Sequence, residues 1–308
     1  MKSKKSKIEL LAEKLKIKRW DNIRSNWIRF IPNMKPAGYP PELSISNIEG
    51  FQSCASRLSN GNGFVREHIP GIQSHALLEA IFLLHKASHV LSAAELHIKM
   101  GVQTWSLSSA YQASFYSAKS ILNFIGINIA EFNKKSIVCD LWPEPDKLSK
   151  THRNIGEISD SEDVVFWKTG TILDHKSIWL IFQRIIRVTR INLWPDEYVK
   201  SILKLNVTDF AKQRNSIHYS NNKWPGNDLF DFVLGNGFGT VPDKLVDYFD
   251  ESYNNKDFTV VLSFIIFRMA YLLLKDLSHN TNKLNNEIEL IISTFQKERH
   301  PMYCDQLG

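Results

Sequence analysis

The sequence predicts an all-α protein, a helical bundle with an N-terminal extension and a long inserted loop. Three observations carry this reading. Stretches such as 73–99, 108–125 and 258–277 run without Pro or Gly and are rich in apolar residues. Elsewhere apolar residues recur at helical spacing, as in Trp179, Phe182, Ile185 and Ile186, the period that gives one buried face. Turn-forming clusters (KPAGYPPEL, SNGNGF, SNNKWPGND) fall between these stretches. There is no internal repeat, heptad array or low-complexity tract, so a bundle of distinct helices is expected.

Composition sets the class. The chain has 308 residues, 43% hydrophobic and 23% charged, which is enough apolar material for a sizeable core and argues against disorder. Cys54, Cys139 and Cys304 show no paired spacing. They fit a reducing, cytoplasmic setting rather than a disulfide framework. The basic N-terminus is followed by no apolar core of a secretory signal. The apolar run Phe258 to Leu274 carries Thr259, Ser263 and Arg268. It is short of the ~20 residues that span a bilayer, so a buried core helix and no membrane partner are expected. Formal net charge is +6. Residues 1–35 hold eleven Lys or Arg against three acids, so the basic excess is a property of that arm. Such an arm can meet nucleic-acid phosphates; a solvated terminus is the plainer alternative.

Taken in order, residues 7–18 place Ile8, Leu11 and Leu15 on one stripe of a short amphipathic helix. Trp20, Trp27 and Phe30 should dock it onto the body. The Pro-, Gly- and Ser-rich stretch 32–70 reads as a wrapped connection with little regular structure, so 1–70 is one region and 71–308 the bundle. A helix over 73–99 carries His85 and His89 at i,i+4. That spacing can hold zinc, but no third ligand and no HExxH pattern accompany it, so packing or capping roles are expected and no metal is assigned. A helix over 108–125 has small residues at Ala110, Ser114 and Ala118, one per turn, and ends at Gly126 as its C′ residue. Residues 133–174 turn polar and Pro-containing and read as an insertion, with VVFWKTG as a short strand or a buried loop. A helix over 175–191 follows, N-capped by Asp174. Pro195 opens a short helix to Leu205, and Thr208 caps the next. Two helices, 258–277 and 281–297, close the chain.

Known catalytic motifs are missing. There is no GxxxxGK[ST] loop, no GxGxxG opening a helix after a strand, no GxSxG elbow and no acidic cluster of the two-metal kind. No cofactor is implied. What stands out is Lys212 to Tyr219 (KQRNSIHY). At about 100° per residue, Arg214 and His218 project within about 40° of each other, with Val207 and Ala211 in the same sector and Phe210 and Ile217 on its flank. Two polar groups on an apolar face need pairing, an interface or a pocket. Histidine moves protons near neutral pH, and arginine offers a planar cationic fork to phosphate oxygens. Arg214, Asn215 and His218 are the candidate catalytic set. Lys212 with the basic ladder Arg184, Arg187 and Arg190 are the candidate nucleic-acid contacts, a solvated face being the alternative for the ladder.

The Arg-Asn…His helix, in a helical chain with the upstream helix SSAYQASFYSAKSILNFIGI, resembles the HEPN superfamily. Those proteins are helical bundles of bacterial defence and toxin–antitoxin systems. Many are metal-independent endoribonucleases that act as dimers. The resemblance covers roughly 73–297 and implies a HEPN-like bundle, RNA as partner, a homodimer or a subunit of a hetero-complex, and Arg214, Asn215 and His218 as the matching positions. Three residues separate Arg214 from His218, where the family pattern has four to six. A non-catalytic scaffold subunit is the alternative the resemblance leaves open.

Overall fold

The computed structural model describes residues 20–31, 49–60, 64–99, 103–132, 134–142, 163–169, 172–189, 191–207, 210 and 258–296. Among them are eight α-helices, in chain order α1 (Trp20–Phe30), α2 (Glu49–Asn60), α3 (Ile72–Lys99), α4 (Gln103–Phe124), α5 (His175–Val188), α6 (Asp196–Lys204), α7 (Phe258–His279) and α8 (Asn285–Gln296). Four strands accompany them: β1 (Phe64–His68), β2 (Ile127–Phe132), β3 (Lys135–Asp140) and β4 (Asp163–Lys168). The helical fold class holds. The chain divides into two compact units, one of residues 1–80 and 122–191, the other of 81–121 and 192–308.

The first unit holds the sheet, ordered β1-β4-β3-β2 and antiparallel throughout. Val164, Val165 and Phe166 are buried together, as are the side chains from Ser136 to Asp140. β-branched and aromatic residues suit such strands covered on both faces. Helix α2 packs on β1 and β4, with the Phe51 ring edge-on to Phe166 at 5.3 Å. Helix α1 buries Trp20, Ile23 and Trp27. The Trp27 indole N–H donates to the Phe124 carbonyl at 2.7 Å, and its ring meets Trp142 edge-on at 5.2 Å. Gly126 sits beneath that tryptophan at φ +84°, where a side chain is disfavoured. Asn128 fastens the same turn, its amide donating to Glu79 at 3.0 Å and to Asn123 at 3.1 Å. Helix α5 turns Ile178, Trp179, Ile181, Phe182, Ile185 and Ile186 inward, and the Asp174 carboxylate accepts from the Ser177 N–H at 2.8 Å.

The second unit is helical. Ala94 and Ile98 of α3 join Leu107 and Ala110 of α4 and Val260 of α7 in one core cluster, with Phe264 against it. Helix α7 contacts α6, α8 and the 3-10 turn Asn282–Leu284 between α7 and α8. The Trp194 indole donates to the Met269 carbonyl at 3.0 Å, which pins the entry to α6 onto α7. The apolar run from Phe258 is a core helix as expected, with Leu262, Ile266, Leu273 and Leu274 wholly buried. Among the described residues one stretch, Ile72–Ile98, is long and apolar enough to cross a membrane by composition, and most of it is buried inside the fold.

Several sequence expectations need correction. The segment 32–70, read as extended wrapping, contains α2 and β1. The cause is tertiary: α2 is a polar helix whose buried side, Phe51, Cys54, Ala55 and Leu58, is completed by the sheet. The insertion at 133–174 contributes β3 and β4; of the two alternatives for VVFWKTG the strand holds, over residues 164–168. Helix α4 starts at Gln103, five residues earlier than expected, and Ser106 and Ser108 on its first turns are buried. Helix α5 ends at Val188, three residues short of the expected boundary, with Thr189 extended at ψ 132°. The expected amphipathic helix 7–18 and the Thr208 cap lie outside the described residues.

Candidate functional site

The stretch that carries Lys212, Arg214, Asn215 and His218 lies outside the described residues; the chain leading into it does not. Helix α6 buries Tyr198, Ser201 and Ile202. Beyond it Leu205, Val207 and Phe210 are all buried. The Phe210 N–H donates to the Asn206 carbonyl at 3.0 Å, an i→i−4 bond of an α-turn. The Phe210 ring packs on Tyr111 of α4 with centroids 4.9 Å apart. So the residues that the helical projection placed on the apolar sector and its flank, Val207 and Phe210, do face the interior of the second unit.

Arg184 and Arg187 lie on α5 in the first unit, on the side away from its six buried residues. Arg187 is exposed in the last turn, where a cation complements the helix C-terminus. Arg184 is half-buried. Arg190 is outside the described residues.

The histidines on α3 resolve into different roles. His85 is 7% exposed, and its Nε2 stands 2.8 Å from Oε2 of Glu287 on α8. Burial, and then the nearby His89, pull the His85 imidazole down to about 4. Burial also raises the Glu287 carboxyl. With the imidazole neutral at pH 7, the contact is a hydrogen bond between two buried side chains, and it ties α8 to α3. His89, one turn on, is exposed. The packing role expected for this pair holds for His85. No local signal could have found its partner, which lies 202 residues away.

A second feature missed by sequence is on the solvent side of α3 and α4. Lys86 sits over the Phe82 ring at 5.5 Å and the Tyr116 ring at 5.0 Å, a cation held between two aromatic faces.

Compared with known proteins, residues 80–156 match the family model of the HEPN domain. The match spans the outer part of α3, all of α4, and strands β2 and β3, and it ends before Lys212. No curated protein and no solved structure matches the chain. The matched stretch, a quarter of the 308-residue chain, includes the helix SSAYQASFYSAKSILNFIGI, and over it the chain is similar to the HEPN domain.

Proposed function

We propose that the protein is a metal-independent endoribonuclease acting in bacterial defence or growth arrest, with Arg214 and His218 as its reacting groups. The observation that carries this is the docked lead-in at Val207 and Phe210, in a chain whose residues 80–156 match the HEPN domain. At about 100° per residue, positions 214 and 218 project within about 20° of Val207, one on each side. On a helix continued from that turn, positions 214 and 218 would share the face that Val207 uses.

The chemistry is a transesterification. The ribose 2′-oxygen attacks the adjacent phosphorus as His218 takes its proton. The phosphorus–O5′ bond breaks, leaving a 2′,3′-cyclic phosphate, and the departing O5′ takes up a proton. Arg214 offsets the negative charge that builds on the phosphoryl oxygens, and Asn215 hydrogen-bonds the substrate from the side of that face. Proton transfer of this kind supplies about 10²–10⁴-fold. A second chain would provide the acid that the first chain's base leaves unfilled, which fits a homodimer.

Purified protein should cut single-stranded RNA in EDTA, and His218→Ala should remove at least about 100-fold of the rate. Cutting that survives in His218→Ala, or that EDTA abolishes, overturns the assignment. A second reading follows from the three-residue spacing between Arg214 and His218: a non-catalytic subunit of a defence complex, which would cut no RNA and co-purify with a fixed partner.

A further inference from the structure

The outer face of the α3–α4 hairpin has an ordered chemistry. Phe82, Lys86, His89 and Leu96 recur at spacings of four, three and seven on α3, and all are exposed. On α4, Trp105 and Gln112 are exposed, and Tyr116 and Lys119 half-buried, at the matching spacings of seven, four and three. Lys86 lies against Tyr116, which fixes the register of the two rows in the antiparallel hairpin. Leu96 then faces Trp105 near the tip, and Phe82 faces Lys119 at the far end. The row from residue 82 to residue 96 is about 21 Å long at 1.5 Å per residue.

Three features of this face point to one kind of partner. It exposes large apolar groups that a solvated helix pair does not need: Phe82 at 36%, Leu96 at 43% and Trp105 at 60%. It interleaves aromatic rings with cations, Lys86 being held between two rings. And it carries no carboxylate: between residues 81 and 121 the single acid is Glu95, which is buried. A second copy of the same face would bring lysines without an acid to meet them, since an isologous contact uses one surface twice. A duplex would offer phosphates but keep its bases stacked away from the rings. A single strand offers both phosphates for the lysines and open base faces for the aromatics.

We propose that this face is a binding track for single-stranded RNA. The choice of RNA over other single strands rests on the nuclease reading above; the track itself does not. Lys86 and Lys119 meet phosphates, and Trp105 and Tyr116 stack on bases. All four positions lie within the second unit, the unit that also contains the chain leading to Arg214 and His218.

The test uses full-length protein carrying His218→Ala, so that cleavage does not consume the probe. Binding of a fluorescein-labelled oligouridylate of about 12 nucleotides, within the usual site sizes of such grooves, is read by anisotropy across a salt series. K86Q with K119Q should weaken binding about tenfold or more and reduce the slope of log affinity against log salt by about 1.4, two phosphate contacts at about 0.7 each. Trp105→Ala should weaken binding about tenfold with little change in that slope. Both variants alter exposed or half-buried side chains, and unchanged circular dichroism confirms that they fold. Oligouridylate binding that is unchanged in both variants overturns the proposal, as does equal affinity for a blunt RNA duplex. Self-association in sedimentation that Trp105→Ala abolishes while RNA binding stays intact also overturns it, making the face an interface between copies. Failure of the nuclease reading is seen separately, as RNA cutting that survives His218→Ala.

Discussion

The His85–Glu287 contact makes a prediction whose size follows from the structure. His85 titrates at about 4 in the fold and near 6.5 in an unfolded chain. A depressed histidine means that the unfolded state binds more protons between those two values, so the fold loses stability as pH falls through that window. The loss is about 2 kcal/mol from pH 7 to pH 5 and about 3 kcal/mol by pH 4, at 1.36 kcal/mol per unit. Glu287 works the other way. Its carboxyl is raised by burial, so the folded state takes up its proton first and gains stability as pH falls. The comparison that isolates the histidine is parent against His85→Gln, in which Glu287 is retained and the titrating group is gone. In urea unfolding, the advantage of the parent over His85→Gln should shrink by about 2 kcal/mol between pH 7 and pH 5. The imidazole resonance of His85 should titrate well below the ~6.5 of a free imidazole. Parallel pH curves for the two proteins would refute the reasoning. So would a His85 resonance titrating above 6.5, which would mean that attraction to the Glu287 carboxylate outweighs burial.

Two further outcomes test the first unit. Gly126→Ala should destabilise the protein by at least about 1–2 kcal/mol for a side chain in the left-handed region, because Gly126 has φ +84° and a methyl group there would come within 2.7 Å of the Trp142 Nε1; an unchanged melting temperature would deny that packing. Trp27→Phe keeps an aromatic ring but leaves the Phe124 carbonyl without the donor that now lies at 2.7 Å. It should cost about 1–3 kcal/mol in urea unfolding, and a cost near zero would mean that the hydrogen bond does not exist in solution.

The helices of the second unit were legible because their signals are local. Helices α3, α6 and α7 were placed within two residues at both ends, and each is a Pro-free periodic run whose ends coincide with turn residues or with a change of composition. The Asp174 cap and the Gly126 terminus were legible for the same reason, since a cap acts within one turn. The sheet was not. Its pairings join β1 to β4 and β3 to β4, across stretches whose polar loops dominate any window of ten residues. Strands buried on both faces also lose the alternation that marks a strand from sequence. Helix α2 was hidden for a related reason: its composition is polar, and the face that makes it a helix of the core is completed by Phe166 from β4.

The candidate site divides along the same line. Projection of Val207 and Phe210 onto an inward sector needs only the helical period, and both are buried, with Phe210 against Tyr111. The buried partner of His85 and the exposed row of Phe82, Lys86 and Trp105 need to know which side of α3 and α4 is covered, and the sequence of a hairpin apolar on most sides does not say. Burial supplies that. Once His85 is seen to face inward, to Glu287, the position one residue on faces outward, and Lys86 with its two aromatic rings becomes a surface instead of a core. The same hairpin is then constrained on both sides. Its inner side, with Tyr111 under Phe210, supports the chain that enters the Arg214–His218 stretch. Its outer side presents two lysines and three aromatic rings, exposed or half-buried, and the hairpin between residues 81 and 121 has no acid but the buried Glu95. A substitution on the outer side that spares folding should therefore change what the protein binds, and one on the inner side, such as Tyr111→Ala, should change how the Arg214–His218 stretch is held. Separating these two effects would separate the proposed recognition from the proposed catalysis.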